Sequence, residues 1–383
     1  MKAQNNSQHD SREQFERIFA DRYKKLNAAQ KKAVDTIDGP LLVVAGPGSG
    51  KTEILGMRVA RILKETQAMP SNILCLTFTD SASQNMRDRL SRLIGERAYS
   101  VAIHTFHNFC VDIIRKHGEF FYHGATFRAA DPITQISVLE NLFNALDHDD
   151  PLRSYHPEEG FVYLKATQNA ISNIKKSGLM PHELVEILDD NEKGFETISA
   201  TVLPAFEERL SKKDFSAIER AVQALADAGS KRVKSKAAAQ EADKGGAHGK
   251  SDGTGKASTA AIAFHSIEEA VASSIADALS EASKKDETEQ ISKWKAKWIV
   301  KDDEGRKVFK DALNIGRMRS FAALYKAYQT EMHRLGYFDF DDMILDVIQA
   351  LSTNARLRYE LQEQYQYLLV DEFQDTNNAQ MRI

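Results

Sequence analysis

The feature that most constrains this chain is the loop AGPGSGKT, Ala45 to Thr52, set between a short apolar run and a helical pattern. The run, GPLLVVAG, reads as a strand buried on both faces of a parallel sheet. Strand, glycine-rich loop and helix in that order make a phosphate-binding loop. Gly46, Gly48 and Gly50, with Pro47 and Ser49 between them, let backbone N–H groups turn inward around an anion. The helix N-terminus adds partial positive charge. Lys51 reaches β- and γ-phosphates, and the Thr52 hydroxyl suits Mg²⁺. The place that the general pattern gives to a first glycine holds Ala45, another small residue. A second signal is LLVDEFQDT, Leu368 to Thr376, an apolar run ending in two carboxylates. Asp371 at such a strand tip would hold the metal, and Glu372 would orient and deprotonate an attacking water. Lys51 and Asp371 are 320 positions apart. Their meeting requires the middle of the chain to be an insertion between strands of one sheet.

Two more apolar runs, Ile73–Phe78 and Val101–Ile103, each lead into a helical stretch. Together with Glu53–Lys64, the stretches Ser81–Ile94 and His107–His117 give the strand–helix alternation of a layered α/β domain. The expected organisation is a flexible tail at 1–10, a first α/β segment at 11–117, an inserted helical domain at 118–316 and a second α/β segment at 317–383. Within the insertion, residues 227–258 are poor in aromatics and rich in Lys, Gly, Ala and Ser, and are expected to lack regular structure. Hydrophobic residues at 42% suffice for a core, which excludes a disordered chain. The net charge of −4 gives no global field for nucleic acid, so such binding needs a local patch. The only cysteines, Cys75 and Cys110, exclude a disulfide framework and fit a reducing cytosol. They read as small buried hydrophobes. No apolar run is long enough for a membrane span, and the polar N-terminus lacks the apolar stretch of a secretory signal. The default is a soluble, cytoplasmic protein.

Six motifs in order, LNAAQKKAV, AGPGSGKT, LTFTDSASQNMRDRL, HTFHNFC, DFDDMI and VDEFQDTNNAQ, span nearly the whole chain. In this it resembles the N-terminal region of superfamily 1 DNA helicases of the UvrD/Rep/PcrA type. The resemblance implies a RecA-like ATP-binding fold, ATP and Mg²⁺ as ligands, and ATP-driven movement on single-stranded DNA, 3′ to 5′. It also implies residue roles. Gln30 would read the adenine edge, although Asn27 with Gln30 three residues later is equally a capping box. Thr77, Phe78 and Thr79 match a motif that lies under single-stranded DNA, with Phe78 stacking on a base. Asp80–Ser81 stands where the family has Asn–Lys, removing one positive charge. Thr105 and His107 match a second DNA-facing motif. Gln374 and Asp375 would sit beside the γ-phosphate, linking nucleotide state to the DNA path. Asp339, Asp341 and Asp342 read better as a helix N-cap than as a metal site. The family continues into another strand and a second RecA-like domain that supplies arginines to the γ-phosphate. This chain alone is therefore expected to be nearly inactive and to carry an open sheet edge. The alternative is an ATP- and single-strand-binding module without motor action.

Overall fold

The computed structural model describes residues 15–46, 48–121, 128–206, 215–244, 266–285, 287–302 and 304–383. The expected tail at 1–10 lies outside them. In chain order, helices at 15–25 (α1) and Ala28–Asp35 (α2) precede Lys51–Glu65 (α3). Strand Ile73–Thr77 (β1) leads into Asp80–Ile94 (α4), and Ala102–Thr105 (β2) into Phe106–Lys116 (α5). Then follow Arg128–Ala129 (β3), Pro132–Asn144 (α6), Tyr155–His156 (β4), Gly160–Phe161 (β5), Leu164–Lys176 (α7) and Pro181–Val202 (α8). Phe215–Lys244 (α9), Ile267–Lys285 (α10) and Glu289–Trp298 (α11) run into a hairpin, Ile299–Lys301 (β6) and Lys307–Phe309 (β7). The chain continues through Ile315–Arg334 (α12), Tyr337–Phe338 (β8), Asp342–Thr353 (α13), Ala355–Gln364 (α14), Tyr367–Val370 (β9) and Asn378–Met381 (α15).

Two compact units result. The first comprises Met1–Gln135, Ser172–Leu179 and Met332–Ile383; the second, Ile136–Ile171 and Met180–Glu331. The first is mixed α/β and holds a parallel sheet ordered β2-β1-β9. Every β1 side chain is buried, as a central parallel strand covered on both faces requires. Helix α3 lays Ile54, Met57, Val59, Ala60 and Ile62 into this core at helical spacing. Phe19, Leu26 and Val34 from α1 and α2 join them. Full burial of a side chain such as Met57 or Ile62 is worth about 1.5–3 kcal/mol. The Arg58 guanidinium donates to the carbonyls of Ala33 and Thr36 and so locks α2 against α3.

The strand expected at GPLLVVAG does not form. Residues 41–46 join no ladder, and Leu42 and Val44 are 72% and 89% exposed. The physical reason is pairing: β1 has both edges occupied, by β2 and β9, and the run bonds to neither outer edge. An apolar run without a partner strand cannot satisfy its backbone groups in a sheet.

The second unit is mainly helical, with hairpins β4–β5 and β6–β7. Its core joins Phe195, Ile198 and Phe206 to Ile275 and Leu279 of α10 and to Trp294 and Phe309. The Trp294 indole N–H donates to Ser274 Oγ at 2.9 Å, satisfying the polar atom of a buried ring. Helix α9 continues to Lys244, which corrects the expectation for 227–258 over its first 18 residues; residues 245–258 lie outside the described ones. Ala, Lys, Gln and Glu without proline favour helix there, and Gly229 permits close approach to Ser266 and Glu269 of the α10 N-terminus. Among the described residues no helix is long and apolar enough to cross a membrane.

Both cysteines are buried. Burial pushes the Cys75 thiol up to about 12 and raises that of Cys110 further. Neither should react with a thiol reagent at pH 8 until the fold opens. Two equivalents of label taken up only in denaturant is the expected result of a mass-spectrometric count.

Candidate functional site

The glycine-rich loop is held from beneath. Asn27 and Gln30 form a reciprocal capping box at the start of α2, with both bonds at 2.9 Å. The same Gln30 amide donates from Nε2 to the Ser49 carbonyl at 3.0 Å. Ser49 folds back on Gly46, hydroxyl to carbonyl, at 2.7 Å. Gly48 and Gly50 adopt φ of +73° and +83°, which only glycine takes without strain. Added Cβ atoms at Gly46 and Gly48 would meet nothing within 4 Å. The first α3 bond runs from the Ile54 N–H to the Gly50 carbonyl. The amides before it lack helical partners, as in any anion-receiving helix start. Pro47 lies outside the described residues.

Lys51 is the first residue of α3. Its ammonium donates to the Ala45 carbonyl at 3.3 Å and lies 3.9 Å from Glu372 Oε2. That pair is partly exposed, so its own contribution to stability is small. Its value is positional, because it joins the loop to the distant VDEFQD segment. Thr52 follows in the same turn. Two hard oxygen groups, the Thr52 hydroxyl and the Asp371 carboxylate, suit magnesium.

Pairing of β9 with β1 fixes Asp371: its N–H donates to the Leu76 carbonyl at 2.9 Å. Burial raises the Asp371 carboxyl above its ordinary value, with Lys51 and Arg89 pulling the other way. The next residue, Glu372, is the only described non-glycine with positive φ, at 51°. This left-handed turn costs roughly 1–2 kcal/mol and is held by the 3.0 Å bond from the Glu372 N–H to Asp371 Oδ1. The Gln374 amide donates to the Glu372 carboxylate and, at 3.4 Å, to Asp375.

The other motifs lie at the same edge of the sheet, since β1, β2 and β9 are parallel and Thr77 stands opposite Thr105. Carboxyl ends of parallel strands are where ligands of such sheets bind. Thr79 caps α4 by accepting from Ala82 N–H at 3.1 Å, and Thr105 caps α5 by accepting from Asn108 N–H at 3.3 Å. Phe78 packs edge-on against Phe106. The Asp80 carboxylate accepts from Asn108 Nδ2 at 2.8 Å, which ties the two motifs together. Thr77 differs from its expected DNA-facing role. Its side chain is 0% exposed and its hydroxyl bonds Ser83 Oγ at 2.6 Å, so it shapes the turn from inside. Thr105 is buried as well, and its hydroxyl serves the cap. Of the remaining residues of these motifs Thr79 is exposed, and Phe78 and His107 are half-buried.

Sequence reasoning missed a buried ionic cluster. Lys175, at the end of α7 and without solvent exposure, contacts Asp339 at 2.5 Å and Asp342 at 2.6 Å. Asp339 also accepts from the N–H groups of Asp341 and Asp342, capping α13 as expected for that segment. Asp341 accepts from Ser172 Oγ at 2.7 Å. Between them Phe340 stacks on His107 at 3.8 Å between ring centroids. The segment that carries the cluster thus braces His107. His107 Nε2 is buried without a hydrogen-bond partner among the described residues, and burial lowers the pKa of that ring. For Lys175 burial acts downward, but Asp342 and Asp339 outweigh it and hold the ammonium above the usual lysine value. Lys175, one of two lysines in SNIKKSG, gave no signal; only the fold brings it to the aspartates.

A parallel sheet with Thr77–Thr79, Thr105–His107 and Asp371–Asp375 at the carboxyl ends of its strands, and a glycine-rich loop whose Lys51 approaches Glu372, defines the class. The comparisons with known proteins then fix the family. The family model for the UvrD/REP helicase N-terminal domain matches residues 26–244 and 243–383, and the chain belongs to that family. It is 34% identical over 191 residues to the ATP-dependent DNA helicase PcrA of Staphylococcus epidermidis, 50% of this chain and 25% of that protein. With the PcrA of Staphylococcus aureus it shares 32% over 189 residues, 49% of this chain and 24% of that protein. The match spans about a quarter of the length of these curated relatives.

Replacing Lys175 by Met leaves two carboxylates buried without their cation. We expect a loss of about 3–5 kcal/mol in denaturant unfolding, largely recovered when Asp339→Asn and Asp342→Asn are added. An unchanged midpoint for Lys175→Met would contradict the account of the cluster.

Proposed function

We propose that the chain carries the RecA-like, ATP-binding part of an ATP- and Mg²⁺-dependent motor that moves 3′ to 5′ on single-stranded DNA, as UvrD-type helicases do. In this reading the first unit is the motor domain and the second is its insertion. The observation that carries the reading is the approach of Lys51 to Glu372, 3.9 Å apart in space and 321 positions apart in sequence.

The residues divide the work as follows. The N–H groups of Gly48, Ser49, Gly50, Lys51 and Thr52 receive the phosphate oxygens. Lys51 leaves the Ala45 carbonyl and Glu372 to reach the β- and γ-phosphates. Gln30, already fixed by its cap and by Ser49, offers an amide edge to adenine. The Thr52 hydroxyl and Asp371 hold magnesium, which when bound neutralises phosphate charge. Glu372, freed from Lys51, orients the attacking water and accepts its proton. Gln374, which donates to that carboxylate, is placed to sense whether Glu372 is engaged. At the same sheet edge Phe78 stacks on a base, with Thr79 and His107 beside it. Nucleotide state and DNA therefore act on neighbouring loops of one sheet. For the 383 residues alone we expect binding with slow hydrolysis, because an arginine acting on the γ-phosphate is worth about 10³–10⁵ in related sites.

Lys51→Ala should weaken MgATP binding at least about tenfold, a loss of some 1.4 kcal/mol, in a fluorescent-nucleotide titration. Glu372→Gln should leave that binding intact and slow single-turnover hydrolysis by about 10²–10⁴. Phe78→Ala should cost about 1–3 kcal/mol of single-strand affinity without touching nucleotide affinity. Hydrolysis by Glu372→Gln at the rate of the unaltered chain would refute the assignment.

A further inference from the structure

Residues Ser172–Leu179 belong to the first unit, although the chain on either side of them builds the second. Two distant segments hold this short stretch. On one side Lys175 meets Asp339 and Asp342, and Ser172 donates to Asp341. On the other, the Arg382 guanidinium donates to the Gly178 carbonyl. Gly178 has φ of +79°, and a Cβ there would stand 3.3 Å from Arg382 Cδ and 3.4 Å from the Ala379 Cα. Glycine thus lets the α15 backbone come this close. The Gly178 N–H donates to the Lys175 carbonyl at 2.8 Å, so both holds act on one turn of backbone. Residues 372–382 are closed by their own hydrogen bonds. The Asp375 N–H donates to the Glu372 carbonyl at 2.9 Å and the Thr376 N–H to the Phe373 carbonyl at 3.2 Å. Asn377 and Gln380 form a reciprocal capping box. The Met381 and Arg382 N–H groups donate to the Asn377 and Ala379 carbonyls at 3.0 and 3.1 Å. At the far end Phe340, flanked in sequence by Asp339 and Asp341, stacks on His107. A continuous set of contacts therefore runs from Glu372 through Arg382, Gly178 and Lys175 to Phe340 and His107.

We propose that Ser172–Leu179 is a strut that sets the Phe340–His107 stack according to the position of Glu372, with Arg382 and Lys175 as its positioning residues. The proposal rests on the reading above, in which Glu372 meets nucleotide and His107 belongs to a DNA-facing motif. Arg382 and Lys175 act through the strut and bind no ligand themselves. Two features fit the stretch to transmit a displacement. Backbone closed by hydrogen bonds over 372–382 moves as one piece, so the release of Glu372 from Lys51 reaches Arg382. Separating Lys175 from its aspartates would leave charge buried and unpaired, which is strongly disfavoured. The Asp339–Asp342 segment therefore follows the strut, and Phe340 moves with it.

The test uses the full chain with isotope-labelled histidine, followed by NMR at pH 8. Burial holds the His107 ring below the ordinary histidine value, so the ring is neutral there and its titration adds nothing. The His107 signal is identified by its loss in His107→Gln, and the ring current of Phe340 makes it sensitive to the stack. A non-hydrolysable MgATP analogue should displace that signal in the unaltered chain. Arg382 is exposed, so Arg382→Gln should fold. It should bind the analogue with unchanged affinity and lose most of the displacement, and Arg382→Lys should restore part of it. Lys175→Met combined with Asp339→Asn and Asp342→Asn should lose the displacement too. A merely structural role would lower unfolding midpoints and leave the nucleotide-driven displacement in place. Displacement of full size in Arg382→Gln and in the triple variant would overturn the inference and leave the motor reading standing. A His107 signal that stays still while the analogue binds to the unaltered chain would do the same. No binding of the analogue by the unaltered chain would overturn the motor reading and the inference with it.

Discussion

The parallel pairing of β1 with β9 is the constraint on which the rest of the structure depends. Its register sets Leu76 beside Val370, and the next bond carries Asp371 to the Leu76 carbonyl. Without that ladder the two carboxylates would have no fixed relation to the glycine-rich loop. With it, Glu372 comes within 3.9 Å of Lys51, although the chain between them builds a separate core. The loop in turn is fixed by α2 and α3, through Arg58 on two carbonyls and Gln30 on Ser49. The sheet supplies one half of the site and the helices supply the other.

Much of this was legible in the chain as written. AGPGSGKT and VDEFQDT carry their chemistry in residue type and spacing, and strand–helix alternation placed each at a loop. Their separation led to the expectation of an inserted domain at 118–316. What periodicity could not show was partnership. GPLLVVAG has the composition of a buried strand, but a strand exists only with a neighbour, and residues 41–46 of this run join no ladder. The Ala- and Lys-rich stretch after Asp227 looks like a linker by composition, yet up to Lys244 helix propensity prevails. Thr77 matched a DNA-facing motif by position, while its hydroxyl turns inward to Ser83. The Lys175–Asp339–Asp342 cluster was invisible for a different reason: its members are 164 and 167 positions apart, and no local pattern marks a buried lysine.

The two units differ in kind. At the carboxyl ends of the parallel strands Glu372 sits in a left-handed turn, and in the loop Gly48 and Gly50 take positive φ. In the second unit Lys295 and Lys307 converge on the Phe206 carbonyl, each at 2.8 Å, and so tie the hairpin to the helical core.

The most direct test of the central claim, that loop and carboxylate strand form a single magnesium–nucleotide site, is a double-mutant cycle. MgATP affinity would be measured for the unaltered chain, Lys51→Ala, Asp371→Asn and the double variant. Two groups acting on one bound phosphate–metal unit should be non-additive by about 0.5–3 kcal/mol, whereas independent sites add within about 0.3–0.5 kcal/mol. Strong coupling is the predicted result. Additive losses would mean that Lys51 and Asp371 serve different ligands, and the account of the site would be wrong.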